Sequence, residues 1–297
     1  MALRLGWMRD DAPYMAICTL GLLSVLRAAD REATAAWVGD DESRRLEIDT
    51  RLDAEACAVA LAQAPLPDVS LPPWPTRNPQ ALGPSLATTA RPLDTYRHLV
   101  DAAGEAERRL LRAVATDQML TKGGVPARTR LLRGAKSDLS AFKPLRSASP
   151  ASLADELRHG PSFQPGGSGA ALGLVPEVQT FGGTTGRDPE STGAVSPLLS
   201  RLLRHGILAL PPSGASRRGK RVVGGPLVTE AGELSWPRWT MACGPRELRA
   251  VYSLATVHAA VPDAPALRAR GVDAVFRSAP EQLSTTVAVF RWGRRVA

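Results

Sequence analysis

Lysine is nearly absent from this chain. Of its 37 basic side chains only Lys122, Lys136, Lys143 and Lys220 are lysines, and the other 33 are arginines. Arginine presents a planar fork of donors that matches phosphate oxygens, which an ammonium group does not. Cysteine is as scarce: Cys18, Cys57 and Cys243 are odd in number and widely spaced. That excludes a disulfide framework and a zinc site built on cysteine pairs, and implies three buried free thiols in a reducing compartment. The four histidines, His98, His159, His205 and His258, are scattered, and none is followed by Asp. No H-E-x-x-H and no G-x-S-x-G occurs, so no catalytic residue, metal or cofactor is indicated. No apolar run approaches the roughly 18 residues of a membrane helix. The opening MALRLGWMRDD lacks the apolar stretch of a secretory signal. A cytoplasmic protein with no membrane partner is the expectation. Aromatics make up 5% of residues, so aliphatic side chains and alanine are expected to fill the core.

What is present is charge of one sign, unevenly placed. The net charge is +8 over 297 residues, with a pI near 10.1. Residues 1–118 hold 13 basic and 17 acidic side chains, for −4, whereas residues 119–297 hold 24 and 12, for +12. Such an asymmetry points the C-terminal part at a polyanion. At roughly 100–200 residues per domain, the length allows one large domain or two small ones.

Periodicity predicts an α+β protein. Asp11 caps a first helix with Pro13 just inside it, and Ile17, Leu20, Leu23 and Leu26 recur at helical spacing. Strands follow at 33–38 and 44–50, around a turn at 39–43, and Asp53 caps a helix through Gln63. Residues 64–84 form a proline-rich loop with Trp74 at its centre. A long helix is predicted from Leu93 to about Gln118, with Glu105 reaching Arg108 and Arg109. Further helices are read at 151–159, 194–209, from Pro245 to about His258, and in a short piece closed by Leu267. A hairpin is expected at 226–240 around Ala231-Gly232, and strands at 272–278 and 284–292 with Glu281-Gln282 in the turn.

Two glycine motifs fail on inspection. Gly214, Gly219 and Lys220 fit the spacing of a phosphate-binding loop, but Arg221 stands where a magnesium-binding Ser or Thr belongs. GGSG (166–169), in the glycine-rich stretch 160–193, lacks the dinucleotide fingerprint and reads as a connector. Asp40, Asp41 and Glu42 read as solvated acids in a turn. The basic stretch 119–150 is the strongest chemical signal: it holds seven basic residues and a single acid, Asp138. Arginines there can pair bidentately with phosphate, releasing counterions, so that binding weakens with salt.

The order of motifs carries a resemblance. APYMAICTLGLLSVLRAAD followed by AAWVGD and RLEIDT resembles the start of Cas proteins of the subtype I-U/I-G group, where an alanine- and leucine-rich helix leads into a strand with a tryptophan. FQPGGSGAALGL is similar to a Trp-Asp-Pro segment of that group, with Phe163-Gln164 in place of Trp-Asp. SPLLSRLLRHGILALP, ELSWPRWTMACGPRELRAVYSL and LRARGVDAVFRSAPEQLSTTVAVFRWG resemble its later segments. The chain is short for a Cascade large subunit, so a smaller or truncated large subunit, or another Cascade subunit, is expected, without the C-terminal helical bundle common in such subunits. The resemblance implies a large-subunit-like protein of a type I CRISPR Cascade complex, acting in antiviral defence. There, guide pairing reads sequence while protein contacts recognise a short flanking motif, the PAM. Such a subunit binds target DNA alongside guide RNA and other Cascade subunits, recruits a helicase-nuclease, and is not an enzyme.

The expected organisation is an N-terminal α+β scaffold (1–118), a basic and Gly-rich nucleic-acid-contacting segment (119–193) and a C-terminal α+β region (194–297). Phosphate contacts are expected from Lys122, Arg128, Arg130, Arg133, Lys136 and Lys143, and from a second loop with Arg217, Arg218, Lys220 and Arg221. Two alternatives stay open. One is a Cascade subunit gripping the guide-RNA end. The other is a cytosolic enzyme with an anion pocket in the Gly-rich region, clamped by Arg187 or Arg158.

Overall fold

In the computed structural model, which describes residues 2–41, 44–65, 92–105, 108–109, 115–120, 126–128, 148–162, 196–210, 217–218, 221–222, 227–229, 232–282 and 288–297, the first apolar run forms α1 (Met15–Ala29). Ile17, Leu20, Leu23 and Leu26 are all buried, as their spacing predicts. The cap differs from expectation. Tyr14 occupies the N-cap position with no side-chain hydrogen bond. Asp11 is instead held by Arg9 through paired bonds of 2.9 and 2.7 Å. A charge-assisted pair outcompetes a neutral backbone N–H for the carboxylate.

Strands β1 (Ala2–Leu5), β2 (Thr34–Val38) and β3 (Arg45–Asp49) form an antiparallel sheet in the order β1-β3-β2. Leu5, Ala35, Trp37, Leu46 and Ile48 alternate along these strands and turn one face inward. Asp53 caps α2 (Ala54–Gln63), accepting from Ala56 N at 2.8 Å. The long helix predicted from Leu93 stops early, as α3 (Pro92–Ala102). Gly104 follows, and the Arg108 guanidinium turns back to donate to the carbonyls of Val100, Asp101 and Ala103, satisfying the helix end. Glu105 pairs with Arg109. Residues 115–118, expected in that helix, lie in β4 (Ala115–Leu120), which pairs with β5 (Pro126–Arg128).

Helices α4 (Pro150–His159) and α5 (Pro197–Ala209) start alike, with Ser149 and Ser196 as caps and proline next. α5 crosses α1 at glycines. A Cβ on Gly21 would lie 2.1 Å from the Leu202 carbonyl oxygen, and one on Gly206 2.0 Å from that of Ile17. β6 (Arg217–Arg218) pairs with β7 (Arg221–Val222).

The C-terminal sheet has the order β12-β9-β8, from β8 (Leu234–Trp239), β9 (Val272–Ser278) and β12 (Arg294–Arg295). The hairpin expected at 226–240 is short: Val228 bridges Leu234, Thr229 N donates to Glu233 O and Ser235 N to Leu227 O, while the other edge of β8 pairs with β9. The helix expected from Pro245 to His258 breaks at Ser253-Leu254 into α6 (Pro245–Tyr252) and α7 (Ala255–His258). The Ser253 hydroxyl there bonds back to the Arg249 carbonyl. After α8 (Ala264–Arg268), Glu281 and Gln282 lie not in a turn but in β10 (Pro280–Gln282), paired with β11 (Ala288–Phe290).

The two sheets meet through a bridge between Ala35 and Cys243, with both N–H···O bonds at 2.9 Å. The few aromatics gather at this junction. Trp239 Nε1 donates to Ala35 O, Trp236 Nε1 to Asp10 O, and Tyr252 OH to Ala16 O. Trp239 stands edge-on to both Trp37 and Tyr252, with centroids at 6.5 and 5.8 Å. Residues of 1–118 and 194–297 thus share one core, and the largest fully buried side chains are aromatic where aliphatics were expected to lead. Cys18, Cys57 and Cys243 are buried thiols, as anticipated. Among the described residues, no helix is long and apolar enough to cross a membrane.

Candidate nucleic-acid interface

Four of the ten predicted contact residues fall on described backbone. Arg128 ends β5 opposite Ala115. Arg217, Arg218 and Arg221 lie on the β6–β7 pair, where Arg217 is partnered by Val222 and Arg218 by Arg221. One short antiparallel pair thus collects three arginines. Lys122, Arg130, Arg133, Lys136, Lys143 and Lys220 lie outside the described residues, as do Trp74, the GGSG segment and Arg187. Arg158, the other proposed clamp, is ion-paired with Glu55 across α4 and α2.

The acids near residue 40 are not merely a solvated turn. The Arg238 side chain is 4% exposed and draws in three carboxylates from distant parts of the chain. Its Nη1 bonds Asp10 at 2.6 Å, one Nη2 bond reaches Asp41 at 2.9 Å, and Asp273 takes Nε at 3.1 Å and Nη2 at 2.9 Å. Arg44 reaches Asp41 and Asp273 at 3.3 and 3.4 Å, and Arg295 reaches Asp41 at 3.4 Å. Burial alone pulls the Arg238 guanidinium down. The Asp273 and Asp10 bonds outweigh it and hold the group protonated above its usual value. Hydrogen bonds from Arg238 and Arg44 keep the Asp41 carboxyl below the usual range. The network locks β8, β9 and the β2–β3 turn to the approach to α1.

A second buried acid, Glu156, is 2% exposed on α4. It accepts from Ser196 Oγ at 2.7 Å and Leu198 N at 2.9 Å, at the start of α5, and from Ser162 N at 3.1 Å. A carboxylate is favoured there by the helix N-terminus. Ser162 and Ser196 are therefore fastened to one side chain.

Sequence reasoning missed the basic side of α5. Arg201, Arg204 and His205 fall on one side of the helix, flanking the face on which Leu202 and Gly206 meet α1. Arg204 is 9% and His205 8% exposed. Arg201 Nη1 donates at 3.5 Å to Leu61 O, at the C-terminal end of α2. Burial pushes Arg204 down to about 10, and burial with the Arg201 charge pushes His205 down to about 4. The signal was present as basic residues inside an otherwise apolar helical run. Among the described residues, no group of three or more His, Cys, Asp and Glu side chains is arranged to hold a metal ion. Comparison with family models, with curated proteins and with solved structures finds no match to this chain.

Proposed function

We propose that the chain is a non-catalytic, nucleic-acid-binding subunit of a Cascade-type, RNA-guided surveillance complex of antiviral defence in the cytoplasm. In this reading it contacts target-DNA phosphates and the flanking motif, and helps recruit a helicase-nuclease. The β6–β7 register carries the polyanion part of the reading. The backbone register sets Arg218 opposite Arg221, with Arg217 beside them on the same two-stranded pair. Arginine pairs with phosphate through charge-assisted hydrogen bonds. The +12 of residues 119–297 supports the same partner class. The motif order set out above supports the assembly.

The test is binding of the full chain to labelled duplex DNA, single-stranded DNA and RNA over a salt series. Arg217, Arg218 and Arg221 replaced together by alanine should weaken DNA binding and flatten the logarithmic salt slope by about 2 to 3, at ~0.9 for each phosphate no longer neutralised. An unchanged slope overturns the hairpin as the contact. Tighter binding to RNA than to either DNA moves the reading to the guide. Co-elution with repeat-derived RNA and partner subunits tests the assembly itself.

A further inference from the structure

Arg201, Arg204 and His205 lie within about one helical turn of α5, beside the face that meets α1. His205 is more than nine-tenths buried, and its Nε2 is buried without a hydrogen-bond partner. Arg201 is half-buried, and its Nε is likewise unpartnered. Its one hydrogen bond, to Leu61 O, is long at 3.5 Å. Among the described residues, no carboxylate pairs with Arg201 or His205, and the charge acting on His205 is that of Arg201 itself. The contrast with Arg238 is direct. There a buried guanidinium is surrounded by three carboxylates; here, among the described residues, Arg201 and His205 have none. Removing a cation from water without an opposing charge is strongly unfavourable, and a bound anion restores the balance.

We propose that this side of α5 binds a phosphate-class dianion, gripped by the Arg201 fork and by the His205 Nε2–H, with the Arg204 charge behind them. The guanidinium supplies two parallel donors to tetrahedral oxygens. The imidazole, neutral at pH 7 with its titration near 4, supplies one N–H when the proton resides on Nε2. Arg201 is the least buried of the three and is the point of entry from solvent. The ligand chemistry is a phosphate group, either free or terminal on a nucleotide. The site uses none of the β6–β7 arginines.

The experiment is thermal unfolding of the full chain at pH 7.5 and constant ionic strength, in chloride, in inorganic phosphate and in adenosine 5′-monophosphate. Phosphate should raise Tm by several degrees over chloride. Arg201→Gln should weaken phosphate affinity about tenfold, the loss of a charge-assisted hydrogen bond. Arg201→Lys, which keeps the charge without the fork, should recover part of it. Equal responses in both phosphate arms assign the bare group; a larger nucleotide response assigns the ester. The His205 titration, followed by NMR in the unmodified chain, should move up when phosphate binds, because a nearby anion favours the imidazolium. No rise over chloride, the same rise in Arg201→Gln, or an unmoved His205 midpoint overturns the proposal. The hairpin variant should retain the phosphate response, so the two readings fail separately.

Discussion

Replacing Arg238 by methionine tests whether the three-carboxylate network holds the two sheets together. The substitution keeps the side chain's length and apolar stem, and removes five donors. Removing one partner of a buried ion pair costs about 3–5 kcal/mol, because the other charge is left uncompensated. The network argues for the low end. Asp10 and Asp273 are about a quarter exposed, at 24% and 25%, and Asp41 is more open at 64%. Arg44 and Arg295 also remain beside Asp41 and Asp273. A loss of about 3 kcal/mol follows, read as a shifted midpoint in urea unfolding at pH 7 with the slope unchanged. Adding Asp273→Asn should recover part of it, since the second change removes a stranded charge; the coupling should be about 1–3 kcal/mol. A loss under about 1 kcal/mol, the range of exposed surface pairs, would refute the reasoning.

Two further outcomes follow from the packing and the acids. Gly206→Ala should destabilise by about 1–3 kcal/mol, since its Cβ would stand 2.0 Å from the Ile17 carbonyl oxygen. Helix propensity alone predicts the opposite sign, a gain of about 1 kcal/mol, so the direction of the Tm change decides. Asp30 accepts from Thr50 Oγ1 at 2.7 Å and Arg51 N at 2.8 Å, and the Arg51 and Thr50 bonds hold its carboxyl below 3.8. A lowered carboxyl contributes stability that is present above the unfolded value and is lost as pH falls through the folded one. Asp30→Asn should therefore flatten the acid limb of the stability curve below about pH 4, monitored by circular dichroism; an unaltered limb would remove Asp30 from the account.

How far the chain could be read depended on the range of each interaction. α1, α2, α5 and β9 were legible because apolar period and caps such as Asp53 act within a few residues. The stop of α3 was partly legible, since Gly104 marks it, but the Arg108 side chain that completes the end gave no pattern. β1 was missed because four residues show too little alternation; pairing with β3 makes it a strand. The basic hairpin was visible as composition, whereas the Arg218–Arg221 register belongs to the backbone pairing. Asp41 was misread, because its partner Arg238 lies 197 residues away.

The sequence by itself determined the α+β class, the buried thiols and the concentration of positive charge after residue 118, since these follow from local period and from counts. Only the tertiary structure decided which charges are neutralised. It gathered Asp10, Asp41 and Asp273 onto Arg238 and left Arg201 and His205 without a carboxylate among the described residues. Counterion pairing falls off within a few ångströms, and in a folded chain that proximity is set by packing rather than by sequence order.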